Sequence, residues 1–419
     1  MLVKMSDANA HGGDLFAEDN DLSRQHWVLP AKGGDIAALK VEHVAAMEEP
    51  VHGELTVRIE AIGLNFADIF TGLGLYSPVQ RGEIKGRFVP GLEFAGVVER
   101  IGSPENSKCP DTLQGEEQLK HGHQLVQLSE QVWKIARSEA SRFKVGDRVM
   151  GATRFGAYAT RINVPAHQVR RVPDGWTFQQ AAAFPVQSLT AYYALKELGG
   201  LRAGKVVLVH SAAGGCGMQA LEICQRYGTY VIGTVGSESK VAGLLDRFPS
   251  LDARQIIVRD PTPSGFAKQL DTALQYLQKC RNANASGIDI VLDAVMGPYF
   301  EPAFKLLKPT GRYIVFGAAS MTPPSDNLGV SDWLRLAWQY IQRPKVDPFD
   351  MISSNRSVMG FNLIHCLNDA ETLMSLFEEI EGLDLPPPHV GREFKFHELV
   401  TAMRCFRSGN TSGKVVLTC

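Results

Sequence analysis

The chain has no hydrophobic run long enough to span a bilayer, which takes about 20 apolar residues. Its opening, MLVKMSDANAHGGDLFAEDND, lacks the apolar core of a secretion signal. Net charge is nearly absent: 43 Lys and Arg stand against 45 Asp and Glu, a formal −2. Neither nucleic acid nor an anionic membrane is therefore an expected partner. Paired cysteines are missing as well. The seven, at 109, 216, 224, 280, 366, 405 and 419, are odd in number, scattered and never spaced C-x-x-C. That usage predicts reduced thiols and a cytoplasmic setting. What remains is the composition of a globular protein, 44% hydrophobic and 21% charged, and 419 residues are enough for two domains.

One stretch organises the rest. Residues 205–240 read KVVLVHSAAGGCGMQALEICQRYGTYVIGTVGSESK. An apolar, β-branched run at 206–209 enters the turn Ala213-Gly214-Gly215-Cys216-Gly217. A helical pattern follows, with Met218, Leu221, Ile223 and Cys224 near one face, and a second apolar run occupies 230–235. Strand, glycine turn, helix and strand make the first unit of a dinucleotide-binding fold. Glycine lets the backbone approach a pyrophosphate, and the helix start offers it unpaired N–H groups. Of the usual G-x-G-x-x-G only the last two glycines, Gly214 and Gly217, are present, with Ala212 in the first place. The second strand ends Gly236-Ser237, without the acid that holds a ribose 2′-OH in NAD sites about 20 residues past the turn. Ser237 and Lys240 follow instead, a hydroxyl and an ammonium suited to a 2′-phosphate, so the cofactor expected is NADPH.

Before this unit the chain reads as a disordered leader over 1–24 and then short strands at 26–29, 36–44 and 54–64. The last alternates, with Leu55, Val57, Ile59 and Ala61 on one face. Turn-rich segments between these runs predict an antiparallel, barrel-like domain. Further strands are expected at 148–151 and 156–164, and Thr177 with Gln180 three residues on forms a capping box opening a helix. Residues 199–205, GGLRAGK, imitate a phosphate-binding P-loop, but Val206 stands where a Ser or Thr is required and the motif precedes its strand. After Lys240, helices at 241–247, 267–280 and 300–307 alternate with strands at 255–258, 288–294 and 312–317. That alternation predicts a parallel sheet covered on both faces, with ligands at the strand C-terminal ends. A helix over 333–341 carries Trp333, Trp338 and Tyr340, assigned to core or dimer packing. From about 346 the chain is expected to return to the first domain, ending in the strand GKVVLT.

The succession GLNFAD, LYSP, VPGLEFAGVV, VGDRVMG, GAYAT and AAAFPVQSLTAYYAL resembles the medium-chain dehydrogenase/reductase superfamily, and within it the zinc-free quinone oxidoreductase branch. The segment from Trp338 through RPKVDPFDMISSNRSVMGFNLIH is similar to vesicle amine transport protein-like members. The resemblance implies an α/β fold in which a Rossmann doubly wound parallel sheet is inserted into a GroES-like β-barrel catalytic domain. The boundaries are 25–185 for the catalytic domain, 186–345 for the nucleotide domain and 346–419 for the return. It marks 103–142 as an insertion, whose residues Leu125, Leu128, Val132 and Ile135 have the spacing of an amphipathic helix. It also implies a homodimer joined at the edge of the nucleotide-domain sheet.

Zinc relatives place a ligand Cys where this chain has Asn65 and a ligand His where it has Leu92. Leucine cannot bind zinc and an amide oxygen is a poor substitute for thiolate, so no metal is expected; His121 and His123 have no partners at ligand spacing. By resemblance Asn65 and Thr190 lie near the nicotinamide, the backbone from Ala213 to Gly217 cradles the pyrophosphate, and Phe316, Gly317, Phe361 and Asn362 border the nicotinamide. Lys414 reaches the cofactor from the last strand. Gly236, Ser237 and Lys240 serve the adenosine end; where relatives often have a tyrosine this chain has Val258 or Arg259, and Arg259 serves there by stacking or phosphate pairing. Tyr76 matches a cleft tyrosine and is the candidate acid or substrate contact, although a phenol titrating near ~10 is a weak acid at neutral pH. The reading is a zinc-independent NADPH reductase of quinones or α,β-unsaturated carbonyls. The alternative is an NADPH-binding structural or membrane-associated interaction protein with little turnover.

Overall fold

In the computed structural model the described residues are 23–30, 33–44, 47–76, 86–106, 128–281 and 283–419. The leader, apart from its last two residues, lies outside them, as do Cys109, His121, His123 and Leu125. The chain enters through an antiparallel pair, β1 (Arg24–Val28) and β2 (Lys40–Val44). The expected strand over 36–44 thus begins later: Asp35 caps a 3-10 turn, Ile36–Ala38, by accepting from the Ala37 N–H.

The catalytic domain is one seven-stranded sheet. It takes β3 (Glu54–Gly63), β4 (Glu93–Ile101), β5 (Arg148–Ala152), β6 (Arg161–Pro165) and β7 (Val169–Arg171) from the first part of the chain. Leu55, Val57, Ile59 and Ala61 of β3 are all buried, because the period-2 alternation turns one face inward. Thr177 and Gln180 form the capping box that opens Phe178–Ala182. The insertion contributes a helix, Glu130–Ala140, capped by Ser129. Its inner face is Val132, Trp133 and Ala136, with Ile135 only partly covered.

The nucleotide sheet is six-stranded and parallel: β8 (Val206–Val209), β9 (Tyr230–Val235), β10 (Ile256–Val258), β11 (Ile288–Asp293), β12 (Leu307–Val315) and β13 (Ser357–Gly360). Its order, β10-β9-β8-β11-β12-β13, is the doubly wound Rossmann order. Because β13 pairs with β12 through Ser357 to Gly360, the nucleotide domain runs past the expected boundary at 345. The chain then returns as β14 (Val390–Lys395) and β15 (Lys414–Thr418), and β15 pairs antiparallel with β3. This last pairing sets the C-terminal strand inside the seven-stranded sheet, between β14 and β3, with Gly413 just before it bridged to Gly214 of the nucleotide domain. The helix Val330–Ile341 does not join the core: Trp333, Trp338 and Tyr340 are 54, 62 and 58% exposed.

Candidate active site

β8 delivers the chain into its glycine turn through Ser211, which is held at φ +54°, and the Gly214 N–H closes the turn on the Ser211 carbonyl at 2.8 Å. The helix Gly215–Arg226 starts there with Gly214 as its N-cap and no side-chain cap. Its first N–H groups are therefore left for whatever occupies the cleft. Gly217 is glycine of necessity, since a Cβ there would sit 2.3 Å from the Ser211 oxygen. Ala213 is buried, and its carbonyl accepts from the Gly413 N–H at 2.8 Å, docking the turn onto the chain just before β15.

That contact sets Lys414 across the domain boundary. Its stem passes Gly215, and its ammonium enters a buried polar cluster. Lys414 Nζ donates to Asn65 Oδ1 at 2.9 Å and pairs with Glu93 Oε1 at 2.5 Å. Gln187 Nε2 donates to the same two oxygens, at 2.7 and 3.1 Å. Asn65 Nδ2 donates to Glu93 Oε1 at 3.0 Å and, more weakly, to the Gly63 carbonyl. The Val186 N–H donates to Glu93 Oε2 at 2.9 Å. Glu93 is 0% and Lys414 3% exposed, so this ion pair is almost wholly buried beside the cleft that Lys414 lines, and it is held by its hydrogen bonds. Behind it lies Asp68, whose Oδ2 accepts from the Asn65 N–H at 2.8 Å. Burial pushes the Asp68 carboxyl up to about 7, against the opposing pull of the Asn65 N–H, Tyr158 and Lys414.

A cleft of about 210 Å³ opens beside the cluster, bounded by both domains. It brings together Asn65, Tyr76, Thr190, Gly214 to Gly217, Phe316, Gly317, Phe361, Asn362 and Lys414, the greater part of the residues expected of the site. Tyr76 donates its hydroxyl proton to Asn362 Oδ1 at 2.9 Å, so at rest its O–H is turned to a neighbour. Phe361 stacks on Phe316, centroids 6.0 Å apart, and meets the tilted ring of Tyr193 at 5.1 Å. Burial lifts the Cys216 thiol to about 12 despite the nearby Lys414 charge, which favours the protonated form at neutral pH.

Gly236, Ser237, Lys240 and Arg259 do not line this cleft; they lie at the ends of β9 and the strand beside it. Arg259 donates to Thr234 Oγ1 at 3.1 Å and lies over the Tyr299 ring, 5.3 Å from its centroid. Burial and the Arg259 charge together lower the Lys240 ammonium, which donates to the Gly409 carbonyl. Two cations thus face each other at this end.

Glu93, Gln187, Asp68 and His210 belong to the site although sequence reasoning singled out none of them. His210 follows β8 and borders the cleft, with its Nδ1 3.2 Å from Thr234 Oγ1; burial lowers the imidazole, which is therefore neutral. The available signal was an acid within the apolar run GLEFAG and a glutamine within AAAFPVQSL. Charged and amide groups in such runs are buried only when paired.

A cleft at the strand ends of a Rossmann sheet, closed by a GroES-like sheet, defines a medium-chain oxidoreductase. A model described as "Alcohol dehydrogenase GroES-like domain" matches residues 51–174, and one described as "Zinc-binding dehydrogenase" matches 251–417. The chain belongs to the medium-chain dehydrogenase/reductase superfamily, on its quinone oxidoreductase-like branch close to the VAT-1 homologues. It is 28% identical to the human synaptic vesicle membrane protein VAT-1 homolog-like over 420 residues, covering 98% of this chain and 84% of the relative. The crystal structure of the human VAT-1 homolog-like protein superposes with a TM-score of 0.64 at 26% identity, covering 95% of this chain and 98% of that one. The quinone oxidoreductase of Thermus thermophilus, solved also in complex with NADPH, gives 0.61 at 26%, covering 94 and 100%. Among the described residues no group of three or more His, Cys, Asp or Glu is placed to hold a metal, and no helix is long and apolar enough to cross a membrane.

Proposed function

We propose that this chain is an NADPH-dependent oxidoreductase, working without zinc, that reduces a quinone or an α,β-unsaturated carbonyl compound. The observation that carries the reading is the uncapped helix start at Gly214–Gly217 on the cleft, with the Lys240–Arg259 pair at the far strand ends. A dinucleotide phosphate fits both. The turn accepts the pyrophosphate on free N–H groups, and a 2′-phosphate relieves the repulsion between the two cations. Bound NADPH supplies the hydride. The protein's part is to hold it. Thr190, Phe316, Gly317, Phe361 and Asn362 border the nicotinamide end, Gly236 lets Arg259 approach, and Tyr76 orients the acceptor. Zinc independence is supported by Asn65, whose amide is spent on Lys414, Gln187, Glu93 and Gly63, and by a lysine ammonium 2.9 Å away that repels a metal cation.

Protein dialysed against a chelator should oxidise NADPH with a panel of quinones and enones; no turnover with any acceptor would refute the enzyme reading. A second reading, an NADPH-binding interaction protein with little turnover, is favoured by the exposed apolar face of Val330–Ile341 and Pro348–Ser354, where Phe349 and Ile352 are 79 and 77% exposed. Tight NADPH binding without turnover is its signature. Pro348–Ser354 runs directly into the edge strand β13, and a homodimer built there covers both. Sedimentation as a monomer at micromolar concentration would exclude the dimer.

A further inference from the structure

The cleft is lined chiefly by apolar side chains, among them Leu64, Phe66, Leu92, Val186 and Phe361, and Lys414 is the sole lysine or arginine among its described lining residues. No carboxylate lines it among the described residues. Glu93 stands behind the lysine with both oxygens engaged, and Asp68 stands deeper. An ammonium has three N–H donors. The protein supplies Lys414 with two acceptors, Asn65 Oδ1 and Glu93 Oε1, which leaves one N–H without a protein partner on a side chain bordering the cleft. Burying such an ion pair is costly, and three hydrogen bonds, from Val186, Gln187 and Asn65, are committed to fixing Glu93 in place. Such a fixed donor in a surface of low polarity acts on developing negative charge far more strongly than the same group in water.

We propose that Lys414 is a catalytic residue, an oxyanion-stabilising electrophile that binds the acceptor's carbonyl oxygen through its unpartnered N–H, held there by Glu93, Asn65 and Gln187. This deepens the proposed function and rests on it for the identity of the reaction. When the acceptor carbon gains a hydride, the displaced π pair settles on that oxygen, and Lys414 stabilises the oxyanion. Water then supplies the proton, leaving hydroxide, so the ammonium keeps its own protons and the balance closes without a further reactant. The lysine spans the two parts of the site, its stem against the cofactor turn at Gly215 and its charge on the acceptor side at Asn65.

The test uses 4-nitrophenol, whose ionised form is coloured and needs no turnover. Wild-type protein should bind the phenolate at least about 10-fold more tightly than the phenol, lowering the apparent pKa of the bound dye. Lys414→Met keeps the stem and removes the charge. Coupled with Glu93→Gln it leaves no buried charge unpaired, so the double variant should fold. It should lose the preference for the phenolate and lose about 100-fold in kcat with KM for the acceptor little changed. Dye that does not bind to wild type, a preference that survives in the double variant, or a loss confined to NADPH affinity would each overturn the assignment. A Lys414-dependent dye preference in wild-type protein that reduces no quinone or enone would instead overturn the proposed reaction and leave the oxyanion site standing.

Discussion

Lys240→Ala is the sharpest probe of which nucleotide the chain takes. Lys240 stands just past the end of β9, partly exposed, with Arg259 close enough to lower its ammonium and no acidic residue between Gly233 and Ser237. A charge-assisted hydrogen bond contributes about 1.5–3 kcal/mol, and partial exposure places this one toward the lower end. A loss of about 1.5–2 kcal/mol corresponds to roughly 10- to 30-fold in Kd. Titration of intrinsic tryptophan fluorescence with NADPH and with NADH measures both affinities on one sample. The variant should lose that factor for NADPH and less than about 2-fold for NADH, because the second nucleotide has no phosphate for the ammonium to meet. Equal losses for the two, or none, would refute the assignment of this end to a 2′-phosphate.

Three further outcomes follow from the same geometry. Glu93→Ala strands the Lys414 charge in a buried site and should cost about 3–5 kcal/mol of unfolding free energy by denaturant titration; a surface-like loss under about 1 kcal/mol would contradict the buried pair. Asp68 carries a native pKa near 7 against about 3.8 unfolded, so the native state binds the extra proton between those values and stability falls as pH rises from about 4 to 7. Asp68→Asn keeps the acceptor for the Asn65 N–H, so it should be more stable than wild type at pH 8 by roughly 2–4 kcal/mol and level with it near pH 4; an unchanged pH profile of Tm would count against the raised carboxyl. Gly217→Ala forces a methyl group to 2.3 Å from the Ser211 oxygen and should cost about 1–3 kcal/mol while abolishing nucleotide binding; a stable variant that still binds would show that the turn has room.

The nucleotide half was legible because its signals are local. The β-branched run at Val206–Val209, the glycines at 214 to 217 and the amphipathic stretch after them each reflect one period or one backbone constraint. β13 escaped notice because four residues, Ser357–Gly360, follow a stretch without periodicity and owe their strand to pairing with β12. The π-helical turn at Tyr193–Leu198 is likewise invisible in the sequence, since its extra residue per turn leaves no compositional mark. In the site, the glycine turn announces itself, whereas the Lys414–Glu93–Asn65–Gln187 cluster joins residues up to 349 positions apart and exists only once β15 has closed on β3. Trp333 and Tyr340, seven positions apart, have the spacing of one helix face, and the sequence cannot distinguish a face packed within one chain from one left to face outward.

The central claim is that hydride passes from bound NADPH to an electron-poor carbon in this cleft without a metal. NADPH deuterated at C4, incubated with chelator-treated protein and an enone, tests it directly when the product is analysed by mass spectrometry. One deuterium at the carbon β to the carbonyl, from one face of the labelled nicotinamide, is the predicted result. Product without label, or label transfer that appears only after zinc is restored, would contradict it.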